Sequence, residues 1–385
     1  MHEEYISYLR KLDAKPEKIR ALALFSGGLD SVLAAYLVVK QGVEVICLHF
    51  DTGFLSGNHR ELVKSWVKIY SGLKFEYIDV SEEYLDILRN PKYGYGASAN
   101  PCIDCHLFMI RQAALQLPKF NAHFIITGEV RGQRPKSQNS RAMKKIEEKS
   151  GISGFLLRPL SAKILEETVP EQKGWINREN LLDIHGRNRQ RQLMLAKVLD
   201  APIISKPGSD ACNLLESPFS VRFFDFIKYN EKKTPDKKDY ELLKFGRHFR
   251  ISENAKLIVG RNESENERLL KLQQKTHDND QNSYIVMQVE KFPGPIGLLE
   301  SKPDISQDDI EFSAQIVIKY SKAPSNTQIK VNIIYNEKTE SIITEAAANS
   351  AIFHQSLIGV PKNRPKNFII PNATRNARLY KGEIN

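Results

Sequence analysis

A strand, a glycine turn and a helix follow one another without a break near the start of the chain. Residues 24–36 read LFSGGLDSVLAAY, so an apolar strand runs into the string SGGLDS (residues 26–31) and a helix begins at once. Two adjacent glycines permit a tight turn and leave backbone N–H groups uncovered. Those groups and the helix N-terminus together form a site for an anion such as a phosphate group.

Short apolar segments alternate with helical segments over the first part of the chain. Strands are predicted at IRALALF, VEVICLHFD, FEYIDV and HFIITGEV, with a further short strand at SGFLLRPL. This alternation predicts an α/β fold, a Rossmann-like parallel sheet with helices on both faces. Ligands of such sheets bind at the carboxyl ends of the strands.

Three regions are predicted along the chain. Residues 1–228 form the α/β domain, and the charged segment 229–248 has little apolar content and is predicted to be a linker. Strand and helix patterns follow it and predict a smaller α+β domain over residues 249–385.

The glycine turn resembles the PP-loop of the N-type ATP pyrophosphatase superfamily. It is not a Walker A loop, because the G-K-[ST] ending is absent. The resemblance implies that ATP is cleaved between its α and β phosphates while a substrate oxygen is adenylated, with Mg²⁺ beside the acid of the loop. The implied ATP-binding residues lie in this loop and after other strands: Ser26, Gly27, Gly28, Asp30, Ser31, Asp51, Gly128 and Arg131. Structural alternatives are helix capping for the loop, a loop cap at Asp51 and a solvated position for Arg131.

The chain has four cysteines, of which three are candidates for chemistry. Cys47 lies mid-strand and is predicted to be an inert core residue. Cys102 and Cys105 form a C-x-x-C that opens a helix, and Cys212 lies far downstream. A disulfide is disfavoured in a reducing compartment, and zinc would require a fourth ligand such as His106.

The segment NPCIDC resembles PP-loop tRNA thiouridine synthases. One branch of these enzymes relays persulfide sulfur between an "NPC" cysteine and a distant second cysteine. In another branch, a C-x-x-C and one distant cysteine hold a [4Fe-4S] cluster with one open iron. This chain has the second arrangement, so the resemblance favours a cluster at Cys102, Cys105 and Cys212 over a pure relay, with Cys102 and Cys212 as the catalytic pair.

Basic segments indicate a polyanionic partner. The net charge is +10, and residues 131–149 contain seven Lys or Arg and two Glu. Arg187, Arg189 and Arg191 form a second basic stretch, and residues 361–381 add six basic residues without an acid. Residues 250–335 resemble the NFACT-R module of RNA-associated proteins, which implies RNA binding, with Arg261, Asn262 and Asn266 as candidates. Solvated surface charge and helix capping are the structural alternatives.

We therefore expect a cytoplasmic ATP-dependent tRNA sulfurtransferase. Its expected cofactors are ATP, Mg²⁺ and a [4Fe-4S] cluster. Its expected partners are tRNA and a sulfur donor, either sulfide or a desulfurase-derived persulfide, with a homodimer allowed and no membrane. Two alternatives stay open: an enzyme that activates a small-molecule carbonyl or carboxylate for amidation or sulfur transfer, and a non-catalytic RNA-binding protein.

Overall fold

The structure is a computed structural model that divides into two compact units, residues 1–213 and 214–385. It describes residues 2–10, 12, 16–55, 59–70, 72–201, 212–230, 236–273, 283–302, 305–335 and 338–358. Residues 214–228 were predicted to belong to the first domain, whereas the structure places them in the second unit.

The first unit is built on a parallel sheet of five strands, in the order β3-β2-β1-β4-β5. The strands are β1 (Arg20–Leu24), β2 (Glu44–Asp51), β3 (Lys74–Asp79), β4 (Phe124–Ile126) and β5 (Leu156–Leu157). Ala21 of the central strand β1 pairs with Val45 of β2 on one side and with Phe124 of β4 on the other. The strand order reverses direction at β1, so the crevice beyond the ends of β1 and β4 is where a ligand is expected.

Helices cover both faces of this sheet. They are α1 (His2–Arg10), α2 (Leu29–Val39), α3 (His59–Ile69), α4 (Ser81–Arg89), α5 (Cys102–Gln116), α6 (Ser140–Ser150), α7 (Val169–Gln172) and α8 (Gln190–Val198). Ala21 and Ala23 enter a core with Trp66 of α3, while Leu22 enters the opposite core with Ile110 of α5. Both faces of β1 are buried, which explains why its sequence is continuously apolar.

The second unit contains an antiparallel sheet in the order β11-β10-β8-β9-β7-β6-β12. Its strands are β6 (Arg247–Arg250), β7 (Ala255–Val259), β8 (Ser283–Val289), β9 (Gly297–Ser301), β10 (Ile329–Tyr335), β11 (Lys338–Thr344) and β12 (Leu357–Ile358). Its helices are α9 (Ser217–Tyr229), α10 (Lys237–Leu242), α11 (Glu263–Gln273), α12 (Gln307–Lys319) and α13 (Ala351–Ser356).

The predicted fold class is therefore confirmed: a parallel α/β unit is followed by a smaller α+β unit. The segment predicted as a linker contains α10 and all but the last two residues of β6 (Arg247–Arg250). Short apolar positions within that charged segment become buried, as Tyr240 and Leu243 show, and this burial accounts for its order. In the described ranges, every helix is too short or too polar to cross a membrane.

Candidate active site

The segment SGGLDS (residues 26–31), which we call the glycine loop, follows β1. Its two serines form hydrogen bonds within the loop. The Gly28 N–H donates to Ser26 Oγ at 3.3 Å, and Ser31 Oγ donates to the Gly28 carbonyl at 2.8 Å. Helix α2 begins at Leu29 with Gly28 as its N-cap residue. The first N–H groups of a helix have no acceptor within the helix, so this end of α2 can bind an anion.

Two glycines allow close backbone approaches at this loop. Gly27 has a φ of +74°, and a Cβ there would lie 2.2 Å from Cζ2 of Trp66. Gly128 follows β4, and a Cβ there would lie 2.6 Å from the backbone nitrogen of Ser31 and 2.6 Å from the carbonyl carbon of Asp30. The loop after β4 is thus pressed against the glycine loop, where only a residue without a side chain fits.

Asp30 has one engaged and one unengaged carboxylate oxygen. Gln133 Nε2 donates to Oδ2 at 2.6 Å, while Oδ1 is buried without a hydrogen-bond partner among the described residues. A buried carboxylate oxygen without a partner is destabilising, and coordination of a cation would satisfy it. Asp30 Oδ1 is therefore an oxygen that could bind a cation, and the predicted Mg-nucleotide site at this loop stays a prediction.

The other two predicted nucleotide residues have structural contacts. Asp51 accepts a hydrogen bond from the Gly53 N–H at 2.8 Å and another from the Tyr77 hydroxyl at 2.8 Å. The Arg131 guanidinium donates to Ser140 Oγ at 2.9 Å and to the Ile164 carbonyl at 3.2 Å. Both side chains thereby fix loops at the carboxyl edge of the sheet.

Three cysteines gather around the buried side chain of Tyr84. The Tyr84 hydroxyl is hydrogen-bonded to Cys105, and Cys102 and Cys212 both lie within electrostatic range of Tyr84. Cys212 is brought there because the N–H of Asn213 donates to the Phe54 carbonyl at 2.9 Å, and the Phe54 ring packs 5.8 Å from that of Tyr84.

The thiols have distinct surroundings. The Cys105 side chain is partly exposed, yet desolvation of its thiol by the surrounding protein raises its pKa to about 12, although the Tyr84 hydrogen bond opposes the rise. Cys102 opens α5 and accepts a hydrogen bond from Asn100 Nδ2 at 2.9 Å. The ammonium of Lys136 lies within electrostatic range of Cys102 and donates to the carbonyl of Tyr95 at 2.7 Å. Burial lowers the pKa of Lys136, while Cys102 opposes that shift.

A buried ionic network adjoins these cysteines. His106 Nδ1 lies 2.7 Å from Glu129 Oε1, and Arg158 Nε donates to Glu129 Oε2 at 2.9 Å. Arg158 also donates to Glu147 Oε2 at 2.7 Å. Burial by itself would raise the pKa of the Glu129 carboxyl, but Arg158 and His106 hold it well below its usual range.

The loop after β4 connects the glycine loop with the cysteine site. Gly128 touches the backbone of Asp30 and Ser31, and its neighbour Glu129 binds His106, which adjoins Cys105 on α5. Two consecutive residues therefore contact both halves of the candidate site. A ligand bound at the glycine loop would consequently lie at the same edge of the sheet as the cysteines.

The cysteines do not form a metal-ligand group as placed. Over the described ranges, no three His, Cys, Asp or Glu side chains lie close enough together to hold a metal ion. The thiols as positioned therefore do not fit a [4Fe-4S] cluster, and the cluster stays a prediction. Cys47 is fully buried in the core, as expected, and burial raises its pKa well above the usual range.

Some of the residues predicted to contact RNA are exposed, and others form contacts within the protein. Arg187 and Arg191 are exposed, and Arg191 forms an ion pair with Asp183 at 2.5 Å. In the second unit, Arg261 is paired with Glu265, whose backbone N–H donates to the Asn262 side chain and so caps α11. Asn266 accepts a hydrogen bond from the N–H of Ile296 at 3.1 Å, a structural contact. The basic stretch 361–381 lies outside the described residues.

The fold consists of a parallel α/β unit, with a glycine loop after its first strand, and an α+β unit. Residues 17–169 match the family described as thiamine biosynthesis protein (ThiI). Residues 246–355 match the family described as NFACT protein RNA binding domain. Both resemblances predicted from the motifs are confirmed by these matches.

Relatives of known name match the first unit. A probable tRNA sulfurtransferase of Thermococcus kodakarensis is 30% identical over 151 residues, which are 39% of each chain. One of Finegoldia magna is 34% identical over 155 residues, 39% of this chain and 38% of that one. A tRNA-specific 2-thiouridylase MnmA of Dehalococcoides mccartyi is 24% identical over 203 residues, 50% of this chain and 53% of that one. The chain spans about two fifths to one half of the length of these curated relatives.

Solved structures also match. A 4-thiouridine synthetase in complex with RNA and ATP has a TM-score of 0.30 and 20% identity, covering 47% of this chain and 51% of that chain. The C-terminal part of the fibronectin/fibrinogen-binding protein of Streptococcus suis has a TM-score of 0.25 and 12% identity, covering 66% and 94%.

Several residues of the site were not predicted from the sequence. Arg158 directly follows β5 and Glu129 lies three residues after the end of β4, and a charged residue after a buried strand is a signal that could have found them. Tyr84, Asn100 and Lys136 carry no such signal, because only the packing of α4 and the loops brings them to the cysteines.

Proposed function

We propose that this chain is an ATP-dependent tRNA sulfurtransferase. The observation that supports this most is the shared contact of Gly128 and Glu129 with the glycine loop and with the cysteine-bearing helix α5. ATP activation and sulfur delivery need to occur at one carbonyl group of the substrate, and this loop joins the two sites that would perform them. The named relatives of the first unit supply the substrate class, tRNA.

The glycine loop would hold the phosphates of Mg-ATP. The proposed ATP-binding residues are Ser26, Gly27, Gly28, Asp30, Ser31, Asp51, Gly128 and Arg131. Gly128 acts by letting the β4 loop approach, and Asp30 Oδ1 is the carboxylate oxygen offered to Mg²⁺. A nucleobase carbonyl oxygen attacks the α phosphorus, pyrophosphate leaves, and the base carries AMP as a good leaving group.

Sulfur would then reach the activated carbon from a cysteine. A persulfide on Cys102 attacks the carbon through its terminal sulfur, and AMP departs with the former carbonyl oxygen. The thiol of Cys212 next attacks Cys102, which releases the thiolated base and leaves a Cys102–Cys212 disulfide. An external dithiol reductant restores both thiols. Asn100 and Lys136 would stabilise negative charge on the Cys102 sulfur.

The second unit would present the tRNA. Its match to an RNA-binding family motivates this role, and the basic surplus of the chain favours association with a polyanion. Binding dominated by phosphate contacts should weaken steeply as salt rises.

Nucleoside mass spectrometry of tRNA from a deletion strain tests the function. Loss of one thionucleoside is expected, with recovery by the wild-type gene and no recovery by Cys102→Ala or Cys212→Ala. Cys47→Ala is the matched control, because Cys47 is a core residue outside the site, and it should restore the product. An unchanged tRNA profile in the deletion strain would exclude tRNA thiolation, and retained tRNA binding without pyrophosphate release would favour a non-catalytic RNA-binding protein.

The iron content tests the predicted cluster separately. Anaerobic purification would yield brown protein with about four irons per chain if Cys102, Cys105 and Cys212 hold a [4Fe-4S] cluster. Colourless protein with intact thiolation activity would exclude the cluster and leave the thiol relay.

A further inference from the structure

Two buried glutamines form a hydrogen-bonded chain that ends on the acid of the glycine loop. Gln192 Nε2 on α8 donates to Gln133 Oε1 at 3.3 Å, and Gln133 Nε2 donates to Asp30 Oδ2 at 2.6 Å. Gln192 is fully buried and Gln133 is nearly so. The three side chains come from α8, the loop after β4 and the start of α2, which lie far apart in the sequence.

The Asp30 carboxylate determines which group donates and which accepts along this series of hydrogen bonds. A carboxylate only accepts hydrogen bonds, so Gln133 must direct its NH₂ group toward Asp30. Its amide oxygen is then turned toward Gln192, which must direct its own NH₂ group toward Gln133. Each amide therefore has one orientation, set by Asp30.

The two carboxylate oxygens of Asp30 differ in their hydrogen bonding. Oδ2 is held by Gln133, whereas Oδ1 is buried without a hydrogen-bond partner among the described residues. Helix α8 packs against α2, the helix that Asp30 opens, so the glutamine chain is anchored to a rigid neighbour of the loop.

We propose that Gln133 and Gln192 are positioning residues for the nucleotide site. Gln133 fixes the rotamer of Asp30, Gln192 fixes the amide of Gln133, and Asp30 Oδ1 is thereby held where the cation of Mg-ATP binds. Gln192 acts only through Gln133. This inference rests on the proposed function, because it assigns the two glutamines to the same ATP site.

Nucleotide binding to the full-length protein tests the proposal, with calorimetry of ATP in the presence and absence of Mg²⁺. Gln133→Met keeps the side-chain volume and removes the hydrogen bond to a charged group, so Mg-ATP affinity should fall about tenfold. Gln192→Met should reduce it about threefold. Both losses should shrink when Mg²⁺ is left out.

Two further variants separate positioning from packing. Gln192→Glu keeps the shape but replaces the NH₂ donor with an acceptor, so at pH 8 it should weaken Mg-ATP binding at least as much as Gln192→Met. The double variant Gln133→Met/Gln192→Met should bind no more weakly than Gln133→Met alone, because Gln192 has no other route to Asp30. Gln138→Met is the matched control: Gln138 is buried in the same loop but bonds the Arg134 N–H, and its loss should leave Mg-ATP affinity unchanged.

These measurements distinguish a failure of the proposed function from a failure of the positioning role of the glutamines. Wild-type protein that binds no Mg-ATP would overturn the proposed function together with the role of the glutamines. Wild-type binding with unchanged affinity in Gln192→Glu and Gln192→Met would overturn the positioning role alone. Additive losses in the double variant, or equal losses with and without Mg²⁺, would also overturn it. Thermal melting verifies that each variant is folded, and Gln192→Glu still tests the role if Gln133→Met does not fold.

Discussion

Replacement of Gly128 by alanine tests whether the loop after β4 must touch the glycine loop. The added Cβ would lie 2.6 Å from the carbonyl carbon of Asp30, 2.6 Å from the nitrogen of Ser31 and 2.7 Å from the oxygen of Asp30. Contacts between such atoms are optimal at about 3.5–4.0 Å, so the overlap is about 1 Å at each. All three are backbone atoms, and no flexible side chain can move aside.

Relief of this overlap requires the two loops to separate. Overpacking of this kind typically costs about 1–3 kcal/mol. In a unit of this size, each kcal/mol lowers the melting temperature by about 2–4 °C, so a decrease of about 2–12 °C is expected. Because Asp30 and Ser31 move, Mg-ATP affinity should also fall, by about tenfold or more.

Thermal melting and calorimetric titration with Mg-ATP measure the two effects. Gly28→Ala is the comparison for stability, because Gly28 has a φ of −73° and its added Cβ would meet only Ser26 Oγ, at 3.3 Å. Its melting temperature should stay within about 2 °C of wild type. If Gly128→Ala keeps the wild-type melting temperature and Mg-ATP affinity, the close approach of the two loops is not required and the reasoning is refuted.

Four further outcomes are expected. Glu129→Gln should lower the free energy of unfolding by about 3 kcal/mol, because the buried Arg158 guanidinium loses a charge partner; urea unfolding measures this, and a loss below about 1 kcal/mol would contradict it. Hydrogen bonds from three basic side chains lower the pKa of Glu44 to about 2 from its usual value near 4.5, so its stabilisation is present above pH 4.5 and is lost as the pH falls toward 2. Glu44→Gln should remove about 1 kcal/mol of that acid dependence, and an unchanged pH profile of stability would count against it. Cys105, with a pKa of about 12, should be alkylated by iodoacetamide far more slowly in the native protein than in urea at pH 8, as mass spectrometry can measure, whereas equal rates would show an accessible thiol. Ser306→Ala removes the side-chain cap of α12 and should cost about 1 kcal/mol in unfolding experiments, with Ser306→Asp as the control that keeps the cap.

The sequence predicted most of what depends on neighbouring residues in the chain. The apolar run of β1, the glycine turn and the start of α2 form one continuous signal, and all three occur as expected. The buried position of Cys47 follows in the same way from its place in the apolar strand β2.

The division of the chain was predicted less well, for an identifiable reason. Helix α9 has an apolar face, as a helix of the first domain would. The structure instead packs its Phe223 against Tyr240 in the second unit. Local periodicity shows that a face is buried, but it does not show which core covers it.

The sequence by itself determined the parallel sheet, the glycine loop after its first strand and the start of α2, because strand, turn and helix preferences act within a few residues. Only the tertiary structure decided that Gly128 presses on the glycine loop, that Tyr84 lies among the cysteines, and that Gln192 connects through Gln133 to Asp30. The physical reason is that hydrogen bonds and close contacts between distant segments depend on how helices pack on the sheet, and the order of residues along one segment does not encode that packing.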